Sequence, residues 1–229
     1  MMANRPIFII SEFAPYYFTF DTEFKWAGGL ALSQKRKNIS SMHQQFKTKF
    51  PDKKVLEISS KSTENLGVNA SAFNLKKYVP SVGAAVPVEN IYQSSKVFSS
   101  GGPFVELLQV TPIEAKRDDR LKSSGRLVSF RFEKMDYPIV PDSIFYDFIY
   151  INALIENPTI GDALTAYDGF TDIAFNPSKN ISCQARSAAV YVSLCRIGKL
   201  DSARNFDRFL TLFYPNRTNL CSADKKRDS

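Results

Sequence analysis

Cysteine, histidine and tryptophan are scarce in this 229-residue chain, at three, one and one. Cys183, Cys195 and Cys221 are an odd set with no C-x-x-C pair, and His43 is the only histidine available to help them. That argues against a disulfide framework and a structural zinc site and favours reduced thiols. His43 lies in a Gln- and Lys-rich stretch, away from any candidate nucleophile, so Ser–His–Asp and Cys–His schemes are disfavoured. Catalysis, if there is any, falls to carboxylates, lysines, amides or the backbone. No apolar run approaches the ~20 residues a membrane helix needs, and no long apolar segment precedes Glu12. The expectation is a soluble, cytoplasmic protein without a membrane partner, in which the N-x-S/T sites at Asn38, Asn69, Asn180 and Asn216 carry no weight. Internal repeats and low-complexity linkers are absent too, so one domain is the default.

What is present is enough apolar surface for a real core, 44% of residues, and an excess of positive charge, thirty Lys/Arg against twenty-three Asp/Glu. The basic residues gather at 35–54 (Lys35, Arg36, Lys37, Lys47, Lys49, Lys53, Lys54) and at 225–227. Phosphates or nucleic acid suit that excess, and so does a solubilising surface.

Along the chain, residues 6–10 read as a short strand. Residues 18–26 alternate Phe18, Phe20, Thr22, Phe24 and Trp26 with polar side chains, a period of two closed by Gly28-Gly29. A helix follows over 33–46 with Ser33 as N-cap and Ile39, Met42 and Phe46 on its inner face. Residues 54–59 form a second strand, 61–67 a polar connection, and 76–85 carry no pattern. Helical segments are expected at 104–108, at 142–155 with Asp142 or Ser143 as cap, at 183–197 closed by Gly198, and at 202–213. Residues 126–132 alternate as a strand, whereas 167–177 read as an aromatic-rich loop, and the mixed charges of 116–122 suggest solvent. Asn152, inside an apolar helix, needs a hydrogen-bond partner.

The segment 88–98 reads as one helix starting after Pro87 and ending before Gly101-Gly102. On that helix Glu89, Gln93 and Lys96 share roughly 60° of arc, with the two charges about 10 Å apart along the axis. An ordinary solvated face fits the same spacing. Asn180, Ser182, Gln184 and Arg186, at the start of the 183–197 helix, form a candidate anion cradle, or alternatively caps and one surface arginine.

Taken in order, E-F-K-W (23–26), S-Q-K (33–35), S-A-F-N-L (71–75), Y-Q-S-S-K-V-F-x-x-G-G-P (92–103) and G-F-T-D-I-x-F-N-P (169–177) resemble the NADAR (YbiA-like) family. More narrowly they resemble its branch of antitoxins associated with DarT1 toxins. The likeness runs from about residue 6 to 200. The chain departs from the broader pattern at Asn90, where many relatives carry His, and at Ala72, where many carry Asn; neither is assigned a catalytic role.

The resemblance implies an α+β, predominantly helical fold, a single NADAR/YbiA-like domain with a few short strands over 1–221. Residues 1–53 would be a family-specific extension and 222–229 a disordered basic tail. It also implies a hydrolase, an ADP-ribosyl glycosidase that removes ADP-ribose from guanine in DNA and so counters a DarT1-type toxin, with no cofactor. Its partners would be ADP-ribosylated DNA, ADP-ribose and the toxin. Glu89 and Lys96 would be catalytic. Gln93 would orient a ribose hydroxyl, Phe73 or Tyr92 would stack a base, and the 180–186 region would hold the diphosphate. Ser71, Asn74, Asp168 and Asp172 complete the expected binding set. The alternatives are an N-glycosidase acting on riboflavin-pathway or other ribosylated metabolites, and a non-enzymatic protein that neutralises by binding nucleic acid or toxin.

Overall fold

Two nine-residue strands, β1 (Met2–Ile10) and β2 (Tyr17–Lys25), open the chain as an antiparallel pair in register from Met2↔Lys25 to Ile10↔Tyr17. They are longer than the apolar cores that signal them in the sequence, because ladder pairing carries polar flanks along. The computed structural model describes residues 2–178 and 181–214. The long helix α1 (Leu32–Lys49) buries Ile39, Met42 and Phe46 as their spacing requires; its N-cap position is Ala31 rather than Ser33. β3 (Val55–Glu57) and the short α2 (Asn65–Asn69) follow, and the unpatterned stretch resolves into a hairpin of β4 (Lys76–Val79) and β5 (Ala84–Pro87).

The expected helix over 88–98 is broken. α3 covers Val88–Ser94, and Lys96–Phe98 form β6, paired with β7 (Leu127–Phe132). The reason is tertiary. The Ser95 carbonyl accepts from Arg131 N at 2.7 Å, drawing the chain into the β6–β7–β8 sheet. The Ser94 and Ser95 hydroxyls donate back to Ile91 O at 3.0 and 2.7 Å, closing the last turn. Gly101-Gly102 therefore lies beyond β6 and ends no helix. A Cβ on Gly102, whose φ is +85°, would stand 2.3 Å from Lys96 O.

Residues 104–108 give a single 3-10 turn, Val105–Leu108. The charged run contains α4 (Pro112–Arg117), opened by a Thr111–Glu114 capping box, and α5 (Arg120–Ser123). β8 (Met135–Tyr137) pairs with β7. The buried α6 (Ile144–Glu156) has Ser143 at its N-cap in the left-handed region, with its hydroxyl on Asp147 rather than on the backbone. Asn152 in α6 donates to Phe148 O and Ala203 O, a structural role. α7 (Pro158–Leu164), β9 (Gly169–Thr171), α8 (Gln184–Arg196) and α9 (Phe206–Phe213) complete the described chain, with a 3-10 turn before α9 where one continuous helix was expected.

The segment expected to be a loop supplies β9, which fills the sheet order β2–β1–β9–β3, antiparallel to β1 and parallel to β3. Phe170 is fully buried, and Gly169 leaves room for the Phe46 ring. α1 covers one face of this sheet through Ile7, Ile9, Phe24, Ile39, Met42 and Phe46. The other face meets α6 and α8 through Phe8, Leu56, Phe170, Ile149, Tyr150 and Ala188. The result is a single mixed α+β domain. Residues 2–53 are packed into this domain, with β1 as an interior strand.

Candidate active site

The parallel strands β3 and β9 end side by side, and just beyond them a cavity of about 570 Å³ opens. Ser59, Ser60 and Lys61 leave β3 to form one wall; Asp172, Ala174 and Phe175 leave β9 to form another. α3 supplies the floor. Its start is fixed to the S-A-F-N-L turn by Val88 N→Leu75 O and Glu89 N→Ala72 O, both 2.9 Å, which brings Phe73 beside Glu89.

Glu89 is 5% exposed. Its Oε1 accepts from Gln93 Nε2 at 2.8 Å and stands 3.6 Å from Lys116 Nζ. Gln93 Oε1 in turn accepts from Lys96 Nζ at 2.8 Å. Glu89 and Lys96 are thus linked through a single amide. Lys96 reaches the floor from β6 rather than from a continuous helix. The Lys96 amine also lies 4.6 Å from the Tyr92 ring centre. Burial lowers its pKa to about 8; Glu89 opposes that shift and Lys116 adds to it.

Asp172 accepts from Ala174 N and from Gln184 Nε2, both at 2.9 Å, and burial raises its pKa. Gln184 Oε1 accepts from Ala72 N at 2.8 Å, so this one side chain joins the S-A-F-N-L turn to the loop after β9. Tyr92 packs edge-on to Tyr146, and its hydroxyl meets Ser182 Oγ at 3.0 Å. Behind the cavity the buried Glu57 accepts from Ser59 Oγ and Thr171 Oγ1 at 2.6 Å and from Ile173 N at 2.9 Å. Among the described residues, no group of three or more His, Cys, Asp or Glu side chains could hold a metal ion.

Such a site pairs a buried carboxylate with an amine of lowered pKa, between aromatic walls and beneath the cations Lys61 and Lys116. That combination suits an anionic ligand. A profile of the DarT1-associated NADAR antitoxin family matches residues 3–222. The chain belongs to this family. No curated protein matches the chain. Membership in this NADAR branch assigns the protein the antitoxin role opposite a DarT1-type toxin. No helix among the described residues is long and apolar enough to cross a membrane.

Of the residues expected at the site, Phe73, Glu89, Tyr92, Gln93, Lys96, Asp172 and Gln184 line the one cavity. Four do not. Ser71 and Asn74 bond to each other and to Val68 O, closing their own turn. Asp168 accepts from Lys54 N and pairs with Arg196. Arg186 is committed to Asp147 at 3.1 Å and to the Ser143 hydroxyl, so it clips α8 to α6 instead of presenting an anion cradle. Asn180 and the tail from Ser222 lie outside the described residues. Sequence reasoning missed Lys61, Lys116 and Tyr146, whereas Ser182, expected with Gln184 at the start of α8, does line the cavity. Lys116 had been grouped with solvent-facing charge; its offset of four residues from Pro112, the first residue of α4, carries no hint of Glu89.

Proposed function

We propose that the cavity hydrolyses the N-glycosidic bond between ADP-ribose and the amino group of guanine in DNA, which would make the antitoxin a direct reverser of its toxin's modification. The observation that carries this reading is the Glu89–Gln93–Lys96 chain on the floor of a cavity that also presents the rings of Phe73, Tyr92 and Tyr146 and the cations Lys61 and Lys116.

In this reading the C1′–N bond breaks with its electron pair going to the base's amino nitrogen, which takes up a proton. Glu89 stabilises the positive charge developing on the sugar. The Lys96 amine adds to C1′ as the ring opens, forming a Schiff base; water then adds, frees the amine and releases ADP-ribose. With a pKa of about 8, roughly a tenth of Lys96 is unprotonated at pH 7. Gln93 orients both groups, Phe73 stacks on the base, and Lys61 and Lys116 take the diphosphate in place of the committed Arg186.

The test is release of ADP-ribose from an oligonucleotide carrying ADP-ribosylguanine. Glu89→Gln and Lys96→Ala should each lose on the order of 10²-fold or more in rate while folding normally. Borohydride should trap wild-type protein on the sugar and leave Lys96→Ala untrapped. Full rates in both variants would remove this floor from the chemistry.

A further inference from the structure

We propose that the N-terminal half of α1 is the docking face for the DNA strand that delivers the modified base to the cavity; the proposal rests on the glycosidase reading above. α1 carries Lys35, Arg36, Lys37, Lys47 and Lys49 and no acidic residue in its eighteen positions. Charge alone leaves a solvated face equally open, but the direction of the helix decides where its charge lies. Phe46 packs against Gly169, His43 Nε2 meets Thr171 Oγ1 at 2.9 Å, and Ile39 shares an apolar cluster with Ile173. As α1 is followed back toward its start, β9 is followed forward toward Asp172 and the cavity mouth. The helix therefore runs antiparallel to β9, and its first turns, tied by Asn38 to Ala27 just after β2, lie toward the end of β9 at which the cavity opens.

Arg36 precedes His43 by seven residues, two turns, so it lies above His43 at the edge of the α1 face that meets β9, with its side chain exposed. A shallow groove on the outer, solvent-facing side of this half of α1 runs past Ser33, Arg36, Lys37, Ser40, Ser41 and Gln44. Hydroxyls and an amide between cations are the groups that contact a phosphate backbone. The first turn has no acidic residue, and its cap residue, Ala31, makes no side-chain bond. The positive end of the helix dipole adds to the field on this side. The acids nearest in sequence, Asp21 and Glu23, alternate to the opposite face of β2 from Thr22 and Phe24, which are buried toward α1, so they do not neutralise the groove. A base must leave its stack to enter a pocket, so the strand that fits is single-stranded at that point.

The experiment measures anisotropy of a labelled, unmodified single-stranded DNA of about 12 nucleotides. It uses wild type, Arg36→Glu/Lys37→Glu, and the far-end pair Lys47→Glu/Lys49→Glu. The near-end pair should weaken binding tenfold or more at low salt and reduce the log–log salt slope by about 1.4. The far-end pair should change binding less than threefold. With substrate, the near-end pair should raise KM for the modified oligonucleotide and leave turnover of free ADP-ribosylguanosine at the wild-type value. Equal losses from both pairs, or no loss from the near-end pair, overturn the docking face. Charge-sensitive binding of RNA in preference to DNA overturns the assigned occupant. If wild type releases ADP-ribose from neither substrate, the glycosidase reading falls, and the anisotropy data alone still decide the docking face.

Discussion

Lys96 is set by burial and two charged neighbours: burial and the ammonium of Lys116 push its pKa down, to about 8, while Glu89 pulls it up. If the neutral amine is the reacting form, the rate of ADP-ribose release should rise with pH and level off above about 8. Lys116→Met removes a positive neighbour, so the midpoint should move upward; a pH–rate profile on the modified nucleoside measures it, and an unmoved midpoint would show that Lys116 does not act through its charge. At this scale the sequence was informative where the chemistry is local. Glu89, Gln93 and Lys96 lie within eight residues, and their common face survives even though the helix beneath them does not. For Arg186 the sequence left two roles open, for the opposite reason. Its partner Asp147 is 39 residues away, and nothing near Arg186 announces it.

Elements α6 and α8 pack through small residues, Ala185, Ala188 and Ala189, that let the helices approach closely. At one end of that contact the Arg186–Asp147 pair is 13% and 8% exposed in its side chains. Ser187 adds a hydrogen bond to Asp147 at 2.6 Å. Removing one member of such a pair strands a buried charge, so Arg186→Met should cost about 3–5 kcal/mol of stability. Asp147→Asn in the same background should return part of it, as read by urea denaturation. An Arg186→Met protein of full stability but poor substrate affinity would restore the anion-cradle reading. Periodicity located α1, α6 and α8 well because each buries a continuous apolar stripe. It failed at 95, where pairing of Ser95 with Arg131 overrides helical continuation, and at 169–171, where a three-residue strand is too short to show a period.

For the whole molecule, Glu57 couples the end of the sheet to pH. Burial and the charge of Asp172 raise its pKa to about 7 against the hydrogen bonds from Ile173, Ser59 and Thr171, whereas an unfolded Glu titrates near about 4.3. The folded state therefore holds this proton more tightly, and the stability it contributes is full below about pH 4.3 and is lost as pH rises through about 7. His43, pushed down to about 4 by burial and by Lys47, acts in the opposite sense as pH falls below about 6.5. Comparison with Glu57→Gln isolates the carboxylate. The melting temperature of the variant relative to wild type should increase between pH 5 and pH 8, and a constant difference would place the Glu57 pKa in the ordinary range.

The position of β9 has a consequence for biosynthesis. The strand that completes the sheet between β1 and β3, and the Gln184 side chain that ties two cavity walls together, both emerge from the ribosome well after α3. A nascent chain exposed only through α7 already contains Glu89, Gln93 and Lys96, yet it lacks the wall that begins at Asp172 and the neighbour that holds β1 to β3. Truncation before Gln184 thus leaves no half-strength pocket.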